Sequence, residues 1–168
     1  MPGPARNDGR GVRNSPLQVV LVEPEIPSNT GNISRTCVVT GCRLHLVRPL
    51  GFSLEDRYLR RAGLDYWPGL DVAVHDSWSD CLAALGGRTL RLFTTRGGQP
   101  HVAIPFGSED ALVFGRESRG LPPSLLEAHP RSWVRVPMLP NWRSLNLGNA
   151  VSIAVYEALR QQGFPGMV

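Results

Sequence analysis

The segment LQVVLVE, residues 17–23, sets the fold class of this chain. It is an almost unbroken apolar run with several β-branched residues, which is typical of a strand buried on both faces in a parallel sheet. The turn-rich segment PEIPSNTGN follows, and a helical pattern through Ile33, Cys37 and Val38 ends at Gly41. A buried strand that leads directly into a helix predicts the repeating unit of an α/β fold.

The same alternation continues along the rest of the sequence. Further strands are predicted at residues 43–48, 72–75, 89–95, 111–115 and 133–137. Helices are predicted at residues 54–64, after Ser77, at 122–128 and at 147–160. This order predicts an α/β fold with a mainly parallel sheet flanked by helices. We expect residues 16–168 to form a single domain, preceded by a flexible basic arm over residues 1–15.

The composition indicates a globular protein that does not span a membrane. Hydrophobic residues make up 42% of the chain and charged residues 19%, which is typical of soluble domains. The apolar runs are all too short to cross a bilayer. We therefore expect no membrane partner.

The cysteines and histidines do not suggest a metal site. Cys37, Cys42 and Cys81 form no C-x-x-C pair, so they are expected to be small buried residues of a reduced, cytoplasmic protein. The four histidines are scattered along the sequence and add no zinc-binding pattern. The sequence predicts no metal.

All 18 basic residues are arginines, and the formal net charge is +4. A biased genome would explain the choice of arginine, but the lack of lysine has chemical consequences. It excludes a Walker A loop and a Schiff-base enzyme, since both need a lysine. The basic side chains are all guanidinium groups, whose planar arrangement of N–H donors is suited to binding phosphate.

Four loops after predicted strands are unusually rich in Gly, Pro, Ser and Asn. They are EIPSNTGNISR, TTRGG, FGRESRGLPPS and PMLPNWRSLNLGN. Turn formation and helix capping would explain any one of them. Ligands of open α/β sheets bind beyond the carboxyl ends of the strands, so four such loops together predict a site.

Two familiar motifs are missing from the sequence. A strand followed by G-x-G-x-x-G is absent, which excludes a Rossmann dinucleotide site. GRESRG is not G-x-S-x-G, which excludes a nucleophile elbow.

Three segments carry a resemblance to a known family. PEIPSNTGNISRTC, FGRESRGLP and RSLNLGNAVSIAVYEALRQQGFPG, in this order, resemble the three signature motifs of the SPOUT superfamily of RNA methyltransferases. RRAGLDYW is typical of the small branch that methylates the ribose 2′-hydroxyl of the wobble cytidine or uridine in tRNA. The resemblance implies a deep trefoil knot in the C-terminal part, S-adenosylmethionine bound against the knot, a homodimer, and the tRNA anticodon stem-loop as partner.

The resemblance also implies which residues bind the cofactor. Gly120 is expected to shape the second-motif loop, and a glycine at 115 would let the backbone approach the ligand closely. The cofactor residues implied are Phe93, Thr94, Gly115, Glu117, Val136, Met138, Ser144, Leu145 and Asn146.

The catalytic role falls, by the same resemblance, on the first-motif arginine, Arg35. Because arginine does not lose its proton in proteins, we expect it to anchor a phosphate and position the ribose. Asn29 and Arg143 match motif positions near the same site, and Tyr156 is a further candidate. Arg60 and Arg61 are expected to contact tRNA phosphates, although a solvated helix face would explain them equally well.

Three alternative functions remain open from the sequence. The first is 2′-O-methylation of ribosomal RNA, and the second is RNA binding without catalysis on the same fold. The third is an unrelated α/β enzyme that acts on a phosphorylated metabolite. Gly115, Glu117 and Asn146 are all present, which favours catalysis over binding alone.

Overall fold

The computed structural model describes residues 17–55, 57, 61 and 67–168. The predicted arm over residues 1–15 and most of the predicted helix over residues 54–64 lie outside these residues. Within them the strands are β1 Gln18–Val22, β2 Arg43–Val47, β3 Val72–His75, β4 Leu90–Phe93, β5 Gln99–Pro100, β6 Ala111–Phe114 and β7 Trp133–Arg135. The α-helices are α1 Pro27–Thr40, α2 Trp78–Leu85, α3 Pro123–Ala128 and α4 Leu147–Gln161.

The strands form one sheet in the order β3-β2-β1-β6-β4-β7-β5, and every neighbouring pair is parallel. The predicted α/β fold with a parallel sheet flanked by helices is confirmed. The sequence missed β5, because a strand of two residues is too short to show a periodic pattern. β1 lies between β2 and β6 and is parallel to both. The loops that follow β1 and β6 therefore lie side by side at the carboxyl ends of the strands.

The core consists of one layer on each face of the sheet. In β1, Val19 and Leu21 point into the layer that also contains α1 and α4. Val20 and Val22 point into the other layer, with α2 and α3. All five residues of β1 are buried. The apolar run of residues 17–23 therefore reflects burial on both faces, as predicted.

The helices begin where the sequence predicts. Ser77 caps α2, and its Oγ accepts a hydrogen bond from the Asp80 backbone N–H at 3.1 Å. Asn146 caps α4 by accepting from the Asn149 backbone N–H at 3.3 Å. Within the described residues, the helices are all too short or too polar to cross a membrane.

The central position of β6 leads to a stability prediction. Leu112 is fully buried in the layer below α1 and α4, so Leu112→Ala is expected to lower the free energy of unfolding by about 2–5 kcal/mol through loss of contacts and formation of a cavity. Leu82→Ala is the control, since Leu82 on α2 is 37% exposed, and its effect should stay within about 0.5 kcal/mol. Chemical denaturation measures both values, and equal losses would contradict this assignment of the core.

Candidate active site

A cleft of about 730 Å³ lies over the carboxyl ends of β4, β6 and β7. All four of the loops that the sequence singled out contribute to it. Ile26 and Asn29 come from the loop after β1 and the first turn of α1, and Thr95 and Arg96 follow β4. The volume is in the usual range for small-molecule sites. The prediction of a ligand site at this edge of the sheet therefore matches the position of the cleft.

The residues expected to bind the cofactor all line this cleft. They are Phe93, Thr94, Gly115, Glu117, Val136, Met138, Ser144, Leu145 and Asn146. Two of the predicted catalytic residues, Asn29 and Arg143, line it as well. The chain thus brings together residues that are far apart in the sequence, and their role in binding a cofactor stays a prediction.

The carboxylate of Glu117 connects the second-motif loop to the beginning of α1. It accepts hydrogen bonds from the backbone N–H of Glu25 at 2.7 Å and of Ile26 at 3.1 Å. It also accepts one from the side-chain amide of Asn29 at 3.2 Å. Hydrogen bonds to an ionised acceptor are about twice as strong as neutral ones. The two loops are therefore held in a fixed relative position.

Asn29 extends this connection to the third loop. Its Oδ1 accepts a hydrogen bond from Asn146 Nδ2 at 3.0 Å, and the residue is only 6% exposed. Ile26 occupies the N-cap position of α1, so helix capping does not account for Asn29. Asn146, by contrast, both caps α4 and donates to Asn29. One chain of hydrogen bonds, Glu117–Asn29–Asn146, joins all three motifs.

Gly115 is required by the second-motif loop itself. A Cβ at this position would lie 2.0 Å from the carbonyl carbon of Gly120 and 2.1 Å from the backbone nitrogen of Leu121. Arg116 and Gly120 exchange two backbone hydrogen bonds, at 3.1 Å and 2.8 Å, which fold the loop back on itself. From the sequence we expected a glycine at 115 because a ligand would come close to the backbone there. In the structure, the backbone of Gly120 and Leu121 comes close to Gly115.

Several residues of the site were not singled out from the sequence. Arg116 lines the cleft and pairs with Glu23 at the end of β1. Glu25 accepts hydrogen bonds from the backbone N–H of Ser118 at 3.0 Å and from its hydroxyl at 2.9 Å. The sequence signal was the EPEIP segment, residues 23–27, in which two glutamates follow a buried strand.

The rim of the cleft is positively charged. Arg96, Arg119 and Arg143 are exposed and line the cavity. Trp142, beside Arg143, is 75% exposed. A cluster of cations around a concave site attracts anionic ligands, so the rim is suited to the phosphates of a nucleic acid.

The remaining predicted residues lie outside the described lining of the cleft. Arg35 is exposed on α1, and Tyr156, on α4, is 47% exposed. The two helices pack together, and the hydroxyl groups of Thr36 and Ser152 are 3.2 Å apart. Arg35 and Tyr156 thus belong to one helix pair beside the cleft. Arg61 is exposed, whereas Arg60 lies outside the described residues.

The fold and the cleft define an α/β protein that binds its ligand beyond the carboxyl ends of a parallel sheet, where the strand order reverses. The chain belongs to the SpoU rRNA Methylase family, which matches residues 16–156. The resemblance to RNA methyltransferases that the three motifs indicated is confirmed.

Individual relatives cover almost the whole chain. The tRNA (cytidine(34)-2'-O)-methyltransferase of Methylovorus glucosotrophus is 53% identical over 153 residues, which is 90% of this chain and 99% of that protein. A solved structure concerned with 2-OH methylation of C/U34 on tRNA is 46% identical, with a TM-score of 0.84 over 89% of this chain and 97% of that one. The SpoU methyltransferase AviRb from Streptomyces viridochromogenes, in complex with AdoMet, shares the fold at 24% identity, with a TM-score of 0.76 over 90% of this chain and 62% of that one.

The crowding at Gly115 leads to a prediction for ligand binding. Gly115→Ala forces the backbone at Gly120 and Leu121 to move, which should displace the loop and weaken binding of S-adenosylmethionine at least tenfold. Gly69→Ala is the control, because a Cβ there would meet only the Val38 side chain at an ordinary 3.7 Å. Titration calorimetry on folded protein measures both affinities. Unchanged binding by Gly115→Ala would show that this loop is not part of the cofactor site.

Proposed function

We propose that this protein transfers a methyl group from S-adenosylmethionine to the ribose 2′-hydroxyl of the wobble nucleotide, a cytidine or uridine, in tRNA. The observation that carries the proposal is 53% identity, over nearly the whole length, to an enzyme named for this reaction. The cleft supports it, because the Glu117–Asn29–Asn146 chain of hydrogen bonds joins its three motif loops.

The cleft fits the proposed cofactor. Phe93, Val136, Met138 and Leu145 supply apolar surface for an adenine ring, and Asn146 and Ser144 supply polar groups. Pockets of this kind, mostly apolar with a few placed polar groups, are typical of cofactor sites. When bound, the cofactor supplies an activated methyl group, so the proposal assigns no metal to the reaction.

The residues of the chain then have to orient a poor nucleophile. A ribose hydroxyl reacts only if its proton is accepted as the new bond forms. Arg143 lines the cleft, and we assign to it the role of holding a phosphate of the substrate next to the bound ribose. We assign the same kind of role to Arg35, whose guanidinium would anchor a phosphate so that a phosphate oxygen accepts the proton.

The proposal includes a homodimer, because Arg35 lies outside the lining of its own cleft. Apolar side chains are exposed on the same helix pair: Val39 on α1 is 55% exposed and Ile153 on α4 is 38% exposed. A second copy packed on this face would cover them and would bring its Arg35 toward the cleft of the first. A closed twofold contact of this kind is the commonest assembly of soluble proteins.

The finer features implied by the resemblance are part of the same proposal. They are a trefoil knot in the C-terminal part, a single domain over residues 16–168, recognition of the anticodon stem-loop and a cytoplasmic location. The knot rests on the resemblance of the three motifs, and the segment that would form it contributes Val136, Met138 and residues 143–146 to the cleft. Arg60 and Arg61 are proposed to contact the RNA backbone.

Methylation of ribosomal RNA is the second candidate, because the family to which the chain belongs is named for it. The two functions differ in the RNA that receives the methyl group. The identity of the labelled nucleotide therefore separates them.

Transfer of labelled methyl from S-adenosylmethionine to bulk tRNA and to ribosomal RNA tests the proposal. We expect label at the wobble ribose, and Arg35→Ala should reduce the rate by about 100-fold because a positioning contact is lost. Arg131→Ala is the control, since Arg131 is an exposed arginine on the loop before β7 and its loss should leave the rate nearly unchanged. Label in ribosomal RNA alone would favour the second candidate, and label in neither RNA would contradict both.

A mixing experiment tests whether the dimer completes the site. Arg35→Ala and Arg143→Ala are each expected to be nearly inactive and to fold, because both side chains are exposed. If Arg35 acts on the cleft of the other copy, mixed dimers contain one intact site, and random exchange should restore about a quarter of the wild-type activity. If both arginines act within one chain, every site keeps a lesion and mixing restores no activity.

A further inference from the structure

A second group of reactive side chains lies in the core, on the face of the sheet covered by α2. His45 on β2 is 2% exposed, His75 is the last residue of β3, and Cys81 lies near the beginning of α2 and is fully buried. The ligand atoms that these three residues offer all lie within 4.8 Å of one another. The group lies on β2, β3 and α2, whereas the cleft lies over β4, β6 and β7.

We propose that His45, His75 and Cys81 form a binding site for a zinc ion. Two imidazole nitrogens and one thiolate are ligands that zinc takes in proteins, and a water molecule would complete the tetrahedral set. The harder cations, magnesium and calcium, prefer oxygen ligands and do not fit this set. The inference does not depend on the proposed methyl transfer.

The orientation of His45 supports the site. Its Nε2 lies 2.8 Å from Oε1 of Gln18, so the amide oxygen accepts the Nε2–H and fixes the tautomer. The lone pair on Nδ1 then points toward His75 Nε2, which is also 2.8 Å away. Metal-binding histidines usually donate their other ring N–H to an acceptor in this way.

The spacing is close to what an ion requires. With metal–nitrogen distances of about 2.0–2.1 Å and tetrahedral angles, two ligating nitrogens lie roughly 3.3 Å apart. The histidine nitrogens would therefore separate by about half an ångström from their hydrogen-bonded position, with the ion replacing the hydrogen bond between them. His75 is only partly buried, so its ring is able to make this adjustment.

The protonation states are compatible with binding. Burial, with help from His75, Arg43 and Arg88, holds the pKa of His45 at about 4, so its ring is neutral near pH 7. Burial raises the pKa of Cys81 to about 12, so the ion must displace the thiol proton, as it does in other thiolate sites. Binding would release this one proton to solvent and would move the remaining ring proton of His75 to Nδ1.

An ion at this position would join β2, β3 and α2 across one layer of the core. The two histidines are 30 residues apart in the sequence. An ion bound to both would therefore restrict the large loop of chain between them. Ligands that bind only the folded state stabilise it by mass action. The expected effect of the ion is therefore to stabilise the folded chain.

Cobalt(II) titration of chelator-treated protein tests the site, because a thiolate ligand gives cobalt a charge-transfer absorption in the near ultraviolet. We expect this band to saturate at one ion per chain, to be removed by added zinc, and to be lost in Cys81→Ala. Cys37→Ala is the matched control, since Cys37 is also a fully buried free thiol but lies in the other core layer. His75→Gln should weaken binding at least tenfold, and Gln18→Leu, which removes the acceptor for Nε2–H, by about 10–100-fold.

Two results would overturn the proposal. One is wild-type protein that shows no thiolate–cobalt band, and the other is binding that is equal in the wild type and His75→Gln. Equal binding would mean that cobalt occupies some other surface site. His75→Gln also keeps the test decisive if Cys81→Ala does not fold, because the partly exposed His75 is the more tolerant position. Zinc should raise the melting temperature of the wild type but not of His75→Gln.

Discussion

The hydrogen bonds to the Glu117 carboxylate hold the functional half of the molecule together. The beginning of a helix has backbone N–H groups with no partner inside the helix, and its dipole favours a negative charge nearby. At α1 the apolar Ile26 stands at the N-cap position, and Glu117, 91 residues away, accepts the N–H of Glu25 and Ile26. A carboxylate from a distant loop thus accepts the N–H of the N-cap residue, which a glutamate in the first turn of the helix does in a capping box.

The rest of the cleft follows from this contact. Once α1 is fixed relative to the second-motif loop, Asn29 is held where it bonds both Glu117 and Asn146. Asn146 begins α4, so the position of that helix is also set. The loop itself is closed by the bonds between Arg116 and Gly120, which only a glycine at 115 permits. A site whose walls are fixed in this way needs little rearrangement when its ligand binds.

The sequence predicted what depends on local pattern and missed what depends on how elements meet. Burial on both faces made β1 and β6 easy to recognise, and the loop composition located the cleft. The proximity of His45, His75 and Cys81 could not be seen, because it depends on the register of β2 against β3 and on the position of α2. The placement of Arg35 outside the cleft depends likewise on which side of α1 faces the sheet.

The charge of the cleft also depends on internal pairing. Three glutamates lie beside it, and each is engaged with a group of the protein: Glu23 with Arg116, Glu25 with Ser118, and Glu117 with backbone N–H groups and Asn29. All three carboxylates are only partly exposed, and Glu23 is paired directly with a cation. The exposed charges that line the rim are therefore those of Arg96, Arg119 and Arg143. Although the formal charge of the whole chain is only +4, the exposed charges on the rim of the cleft are all positive. A cluster of this kind attracts a polyanion to one face of the protein.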